Sequence, residues 1–277
     1  MNTNKCSNKN EHHILALSGG KDSAALAVYM KEKYPELQME YVFTDSGCEL
    51  PETYEYLNRI RAVLNVNINV LKSRRNFDYW LKYFKGVLPS PQNRWCTRLL
   101  KLEPFEAYVG DKTVYSYVAL RADEKREGYK PTIPNIIPRH PFIEDGIILS
   151  DVENILRTSG LGMPGYYLWR KRSGCFFCFY QNEKDWVGLR KHHPDLFKKA
   201  CQYEENHRDC RIYTWRTGEK GKPKYLKDLK DDDKFLDNIP SDLHEKKKLI
   251  DILCSDNLRG ALRYEGSTKS KGVKPNE

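Results

Sequence analysis

Long apolar runs are missing from this sequence. No stretch approaches 18 consecutive apolar residues, which excludes a helical membrane span. The first ten residues are polar and hold no apolar segment of the kind a secretory signal needs, so a cytoplasmic protein without membrane association is expected. No internal repeat is visible. Apolar residues make up only 39% of the chain and mean hydropathy is −0.74, yet 277 residues suffice for one large domain, or a domain with an appendage. Acidic residues are in deficit: 38 Asp and Glu stand against 47 Lys and Arg, a formal charge of +9. That balance favours polyanionic partners and leaves nucleotide, tRNA and DNA open. Eight cysteines are present, at 6, 48, 96, 175, 178, 201, 210 and 254. A disulfide framework does not suit a reducing cytosol, so clustered cysteines read as metal ligands or catalytic thiols.

The apolar run His13 to Leu17 predicts a strand, followed by Ser18-Gly19-Gly20-Lys21-Asp22-Ser23 and a helix over Ala24 to Lys33. Met39 to Thr44 predicts a second strand ending at Asp45, and Pro51-Glu52-Thr53 the first turn of a helix reaching about Leu64. Further strands are expected at Asn67 to Leu71 and Val114 to Leu120, with a helix capped by Ser150-Asp151 running through about Leu156. This alternation implies an α/β fold, a doubly wound and mostly parallel sheet with helices on both faces. From Asn182 onward the apolar spacing is helical and the alternation stops. The expected organisation is a nucleotide-binding domain with the cysteine cluster over 11–180, a helix-rich basic C-terminal extension over 181–263 and a disordered Gly/Ser/Lys/Pro tail over 264–277. Lys227 to Lys234, dense in both signs of charge, reads as a solvated turn or helix end.

The six-residue loop carries a specific mechanism. Gly19 and Gly20 permit positive φ and close backbone approach, so successive N–H groups can form an anion nest at the positive end of the next helix. Lys21 adds a point charge, and Ser18 and Ser23 add hydroxyls. An ordinary glycine turn is the bland alternative, and the hexapeptide between strand and helix outweighs it. The Gly-Lys-Ser/Thr ending and longer glycine spacing of a Walker A loop are absent.

This loop resembles the PP-loop of the ATP-pyrophosphatase superfamily. Within it the chain is similar to the phosphoadenosine phosphosulfate (PAPS) reductase family, including members resembling DNA-phosphorothioation sulfurtransferases. Thr44-Asp45-Ser46-Gly47 followed by Pro51-Glu52-Thr53 resembles the family's Asp-Thr-Gly and Pro-Glu-Thr motif, and Ala119-Leu120-Arg121 its Gly-Ile-Arg segment. Pro141-Phe142, Ser150-Asp151-Val152 and Gly165-Tyr166-Tyr167 continue the order. The resemblance implies an adenine nucleotide α-hydrolase-like fold and binding of ATP or PAPS with Mg²⁺. It also implies cradle roles for Ser18 to Ser23 and catalytic roles for Lys21, Asp45 and Arg121. Asp45 as a turn cap and Arg121 as a surface charge are the bland readings of the same residues.

Cys175-Phe176-Phe177-Cys178 has the spacing that lets two thiolates share one metal or cluster, and Cys96 lies 79 residues before it. Reductases that bear a cluster place a Cys-Cys pair about eighty residues ahead of a C-x-x-C. That resemblance carries Cys96, Cys175 and Cys178 over as [4Fe-4S] ligands, with Lys101 or Arg98 as a basic neighbour. Structural zinc is the alternative, since it accepts the same thiolates. Trp95 replaces the first cysteine of the pair, so only three ligands transfer, as in tRNA-thiolating relatives. Cys201, His207 and Cys210 are candidates for a fourth. The reductases' C-terminal Glu-Cys-Gly-Leu-His is also missing, and Cys254 has an apolar, helix-like setting instead. Between Lys184 and Lys199, basic residues alternate with Trp186 and Phe197, a pattern that suits either nucleic-acid contact or helix packing.

These readings converge on an ATP-dependent enzyme that adenylates a substrate and supports sulfur transfer through a [4Fe-4S] cluster. Its expected partners are DNA or tRNA and a sulfur-donor protein. A PAPS or adenylyl sulfate reductase served by a thioredoxin-like protein is the second expectation. A non-catalytic nucleotide-binding component of a larger assembly is the third.

Overall fold

The computed structural model describes residues 11–128, 130–205, 213–218 and 221–230. Its centre is a five-stranded parallel sheet of β1 (His12–Leu17), β2 (Met39–Asp45), β3 (Ile68–Lys72), β4 (Val114–Tyr117) and β5 (Ile136–Arg139), in the order 3-2-1-4-5. The helices are α1 (Lys21–Lys33), α2 (Pro51–Leu64), α3 (Phe77–Tyr83), the short α4 (Trp95–Thr97), α5 (Glu103–Val109), α6 (Pro141–Glu144), α7 (Leu149–Thr158), α8 (Glu183–His192) and α9 (Pro194–Glu205). A π-helical turn, Arg98–Leu102, joins α4 to α5.

The sheet is buried on both faces, which is why β1 reads as a nearly unbroken apolar run rather than an alternating one. Leu15, Leu17, Tyr41 and Phe43 face α1, α2 and α7, meeting Ala24, Leu57, Ile60, Val152 and Leu156. Ile14, Val42, Val114 and Ile136 point the other way, onto Phe105 and Val109 of α5. β1 sits between β2 and β4, with Leu15 opposite Tyr41 on one side and Tyr117 on the other. The strand order therefore turns around at β1 and β4. In an open α/β sheet the crevice at such a switch point, beyond the strands' carboxyl ends, is where ligands bind.

A further apolar cluster gathers Cys48 and Leu50 after β2, Phe77 and Leu81 of α3, Trp95, Phe176, Phe177, Trp186 of α8, Phe197 of α9, and Trp215. The described part of the helix-rich region thus shares a core with the cysteine segments, and the described residues belong to one unit. His207, Cys210, Cys254, residues 231–263 and the tail over 264–277 lie outside the described residues, as does the second half of the Lys227 to Lys234 run.

Two local differences from the sequence reading have clear causes. β5 is four residues long and contains Pro138, which lacks the N–H that a central strand needs; the structure puts it at the sheet edge, where proline is tolerated. Helix α7 begins at Leu149, so Ser150 lies inside the first turn, and the Asp151 carboxylate accepts the Ile148 N–H at 2.9 Å. No helix among the described residues is long and apolar enough to cross a membrane.

Candidate functional site

The loop Ser18 to Ser23 leaves the carboxyl end of β1 at the switch point and feeds directly into α1. Gly19 has φ +70°, and a side chain there would collide with Thr53 Cγ2 of α2. Gly20 is the residue before the first helical turn and carries no side-chain cap. The Ser23 hydroxyl donates to the Gly20 carbonyl at 3.1 Å and accepts the Ser18 N–H at 3.1 Å, which ties the loop into a ring. The buried Tyr166 hydroxyl donates to the Gly19 carbonyl at 2.7 Å. These contacts hold the loop in one shape at the amino end of α1, where first-turn N–H groups lack intrahelical acceptors.

Three of the residues expected in the cradle and its charge set meet directly. Asp22 accepts from Lys21 Nζ at 2.9 Å and from Arg121 Nη1 at 2.6 Å. Arg121 also pairs with Asp123 at 2.8 Å and Glu124 at 3.2 Å, and these partners hold its pKa above the usual guanidinium range. Arg121 follows β4 as Lys21 follows β1, so the two strands flanking the switch point each deliver one cation. Lys21 also lies 5.6 Å above the Tyr167 ring. Asp45 is elsewhere engaged: its carboxylate accepts the Gly47 N–H and the Tyr54 hydroxyl, both at 2.8 Å, and pairs with Lys72 at 3.4 Å. That is the turn-capping geometry.

The cysteines approach from separate segments. The Phe176 N–H donates to the Cys48 carbonyl at 2.8 Å, docking the C-x-x-C turn onto the loop after β2. Cys175 Sγ lies 3.1 Å from Ser46 Oγ and 3.7 Å from Glu49 Oε1. Lys101, on the π-helical turn after Cys96, reaches Glu49 Oε1 at 3.2 Å. Glu49 above all, with Cys175 and Cys178, holds the lysine pKa up, so both thiols of the turn lie within its electrostatic reach. Burial raises the Cys96 thiol, and Cys178 raises it further while Lys101 opposes. Burial likewise pushes Cys175 well up, with Glu49 adding to the effect. The three expected thiols thus share one neighbourhood. Among the described residues, however, no three His, Cys, Asp or Glu side chains are arranged to hold a metal ion.

The turn also touches the phosphate loop. A Cβ on Gly20 would lie 2.7 Å from Ser173 Oγ, two residues before Cys175. Arg170, 1% exposed, donates to the carbonyls of Gly174 at 3.0 Å and Cys175 at 2.9 Å. Gly174 has φ +131°, which a side chain would resist. Trp95, in the place of the missing cysteine, is core: it stacks on Phe77 at 5.0 Å and donates to the Val87 carbonyl at 3.1 Å. Cys201 lies on α9 with its thiol pushed up to about 11, chiefly by burial, and its charged neighbours are Glu204, Glu205 and Arg190.

Residues 12–141 match the phosphoadenosine phosphosulfate reductase domain model. This segment belongs to that family. The reductase-family domain contains the phosphate loop, Asp45, Cys96 and Arg121, and it ends before Cys175 and Cys178. Two uncharacterised proteins of Methanocaldococcus jannaschii are similar to the chain. One is 27% identical over 84% of this chain and 57% of its own length. The other is 25% identical over 70% of this chain and 42% of its own. An uncharacterised nin region protein of Escherichia phage lambda is 30% identical over 49% of this chain and 57% of its own. The chain thus spans about half the length of the curated relatives it matches. Among solved structures, the phosphoadenylyl-sulfate reductase of Candida auris in its phosphate complex aligns with TM-score 0.49 at 14% identity, over 62% of this chain and 84% of its own. The U34-tRNA thiolase NcsA of Methanococcus maripaludis, with its [4Fe-4S] cluster, aligns with TM-score 0.43 at 15% identity, over 82% of each chain.

Beyond the reductase-family domain, α8 and α9 resolve the mixed pattern of bases and aromatics. Trp186 and Phe197 are buried in the core and unavailable for base stacking. Arg190 donates to the Leu229 carbonyl at 2.7 Å, and His193 meets Glu52 at 2.8 Å. Beside the C-x-x-C turn the exposed aromatic is Tyr180, with Arg172 at 4.8 Å and Arg94 at 5.8 Å from its ring. Glu49, Ser173, Arg170 and Tyr166 were not assigned roles from sequence; Glu49 and Tyr166 sit in stretches that resemble the family's motifs, Ser173 and Arg170 do not.

Proposed function

We propose that the chain is an ATP-dependent PP-loop enzyme that adenylates an acceptor and supports its thiolation, with a [4Fe-4S] cluster on Cys96, Cys175 and Cys178. The observation that carries this reading is the closeness of Ser173 to Gly20, where an added Cβ would lie 2.7 Å from Ser173 Oγ, so that the anion loop and the segment leading into the thiol-bearing turn are neighbours. In the reaction an acceptor oxygen attacks the α-phosphorus of ATP and pyrophosphate leaves; a sulfur nucleophile at the sulfide level then displaces AMP, so no net electrons move. The first-turn N–H groups of α1 and the hydroxyls of Ser18 and Ser23 bind the pyrophosphate end. Lys21 and Arg121 offset the charge that grows on the leaving phosphates. Magnesium travels with the nucleotide, and the carboxylate built into the loop is Asp22.

The thiol neighbourhood fits a thiophilic group: three cysteines from distant segments, an apolar surround and one lysine balancing their negative charge when they ionise. When bound, the cluster would supply a place to hold sulfur near the activated acceptor. Nucleic acid is the proposed acceptor class, on account of the net charge and of Tyr180 between Arg94 and Arg172. The test is pyrophosphate release from ATP by protein purified anaerobically, with iron and labile sulfide measured on the same sample. Zinc in place of iron removes the sulfur-carrying part.

The family match favours a second reading, reduction of PAPS or adenylyl sulfate. It needs an accessible thiolate nucleophile, whereas burial pushes Cys48 up to about 12. Thioredoxin-dependent sulfite release, without pyrophosphate release, decides for it.

A further inference from the structure

Three cysteine ligands leave one iron of a four-iron cluster without a protein donor. We propose that Glu49 is that donor, an inference that rests on the cluster reading above. Its side chain is 1% exposed. Oε1 accepts the Ser46 hydroxyl at 2.9 Å and pairs with Lys101 at 3.2 Å, while Oε2 is buried and has no hydrogen-bond partner among the described residues. A buried carboxylate oxygen left unpaired is costly, and such groups call for a ligand, an ion or water. Glu49 is also the carboxylate that reaches a cysteine of the set, at 3.7 Å from Cys175 Sγ. Lys101, paired with Glu49, also has Cys175 and Cys178 within its electrostatic reach.

The neighbouring donors are less suited. Asp45 is already taken by Gly47, Tyr54 and Lys72. Cys48 lies next to Glu49, buried in the aromatic cluster and within electrostatic reach of Cys175, and is the competing donor that Cys48→Ala tests. Cys201 has its own separate neighbours on α8 and α9. Glu49 also has a rigid mount. It lies between the Ser46 turn and Pro51 at the start of α2, and the C-x-x-C turn docks on the preceding residue. An oxygen donor binds iron less tightly than a thiolate, so this position would be closed to water yet replaceable by sulfur.

The full chain, reconstituted anaerobically with ⁵⁷Fe and sulfide, supplies the test, with Glu49→Gln, Glu49→Cys and Cys48→Ala alongside. Circular dichroism checks the fold of each. Mössbauer spectra of the wild type should show one iron distinct from three. Ferricyanide should convert Glu49→Gln to the three-iron form, read by EPR, at least about tenfold faster than wild type. Glu49→Cys should give four like irons and slow that conversion. Wild-type rates in both Glu49 variants overturn the assignment, as does faster iron loss in Cys48→Ala with none in Glu49→Gln. A wild-type chain that takes up no iron and sulfide instead overturns the cluster reading itself.

Discussion

The phosphate loop and the cysteine junction are put together by opposite means. The loop is one contiguous hexapeptide whose N–H groups, hydroxyls and lysine all come from neighbouring positions on the chain. The junction is assembled from the turn after β2, a π-helical segment and a C-x-x-C turn about eighty positions further on. Local chemistry makes the first robust to changes elsewhere. The second depends on packing, with Arg170 and the aromatic cluster fixing where the sulfurs stand. The reductase-family match takes in the whole loop but only part of the junction, ending before the C-x-x-C turn.

Cys96→Ala breaks the comparison most severely. Bound iron and labile sulfide should fall to background while ATP affinity, measured by calorimetry, changes less than about threefold, the range of a distant and independent site. Loss of both functions together would show that loop and junction are one cooperative unit, and ATP-dependent activity that survives would make the cluster a structural staple.

Next in size is Lys21→Ala. Removing a preorganised charge from the phosphates should lower the rate of pyrophosphate release by about 10²–10³, with iron content unchanged. A rate within a factor of two of wild type would remove the lysine from the mechanism.

Gly19→Ala sharpens the contrast through stability. Its positive φ and the collision with Thr53 together cost about 2–4 kcal/mol, read as a shift in the urea midpoint. An unchanged midpoint would mean that the loop relaxes freely.

Tyr166→Phe is the smallest change. It removes one buried hydrogen bond to the Gly19 carbonyl, about 1–2 kcal/mol, and should weaken ATP binding more than iron retention. The reverse order would place Tyr166 on the junction's side.

Most of the sheet was legible because parallel strands buried on both faces declare themselves as short apolar runs; β1, β2 and β3 fall within a residue or two of their expected limits. β5 escaped because Pro138 argues against a strand anywhere but an edge, and edge position is a tertiary fact. The loop was legible for the same reason that it is robust: its determinants are adjacent in sequence. Arg121 was reachable because a resemblance pointed to it, and its ion pair with Asp22 agrees with that position. Asp45 was read toward the nucleotide, whereas its nearest donors are Gly47 and Tyr54 of its own turn and helix. Arg170 carries no pattern, and Glu49 lay inside the motif after β2 without a role of its own. A buried charge looks like any surface charge until the chain closes over it. Trp186 and Phe197 show the converse, aromatics among bases whose burial alone decides between packing and stacking.

Arg170 has one more implication. Its guanidinium is enclosed, two of its nitrogens are spent on neutral carbonyls and the third, Nε, has no partner. An enclosed cation with no counter-anion among the described residues penalises the native state, and an anionic inorganic core seated against the adjacent turn would lift that penalty. Maturation and thermal endurance would then be linked, with the loaded protein outlasting the empty one on heating.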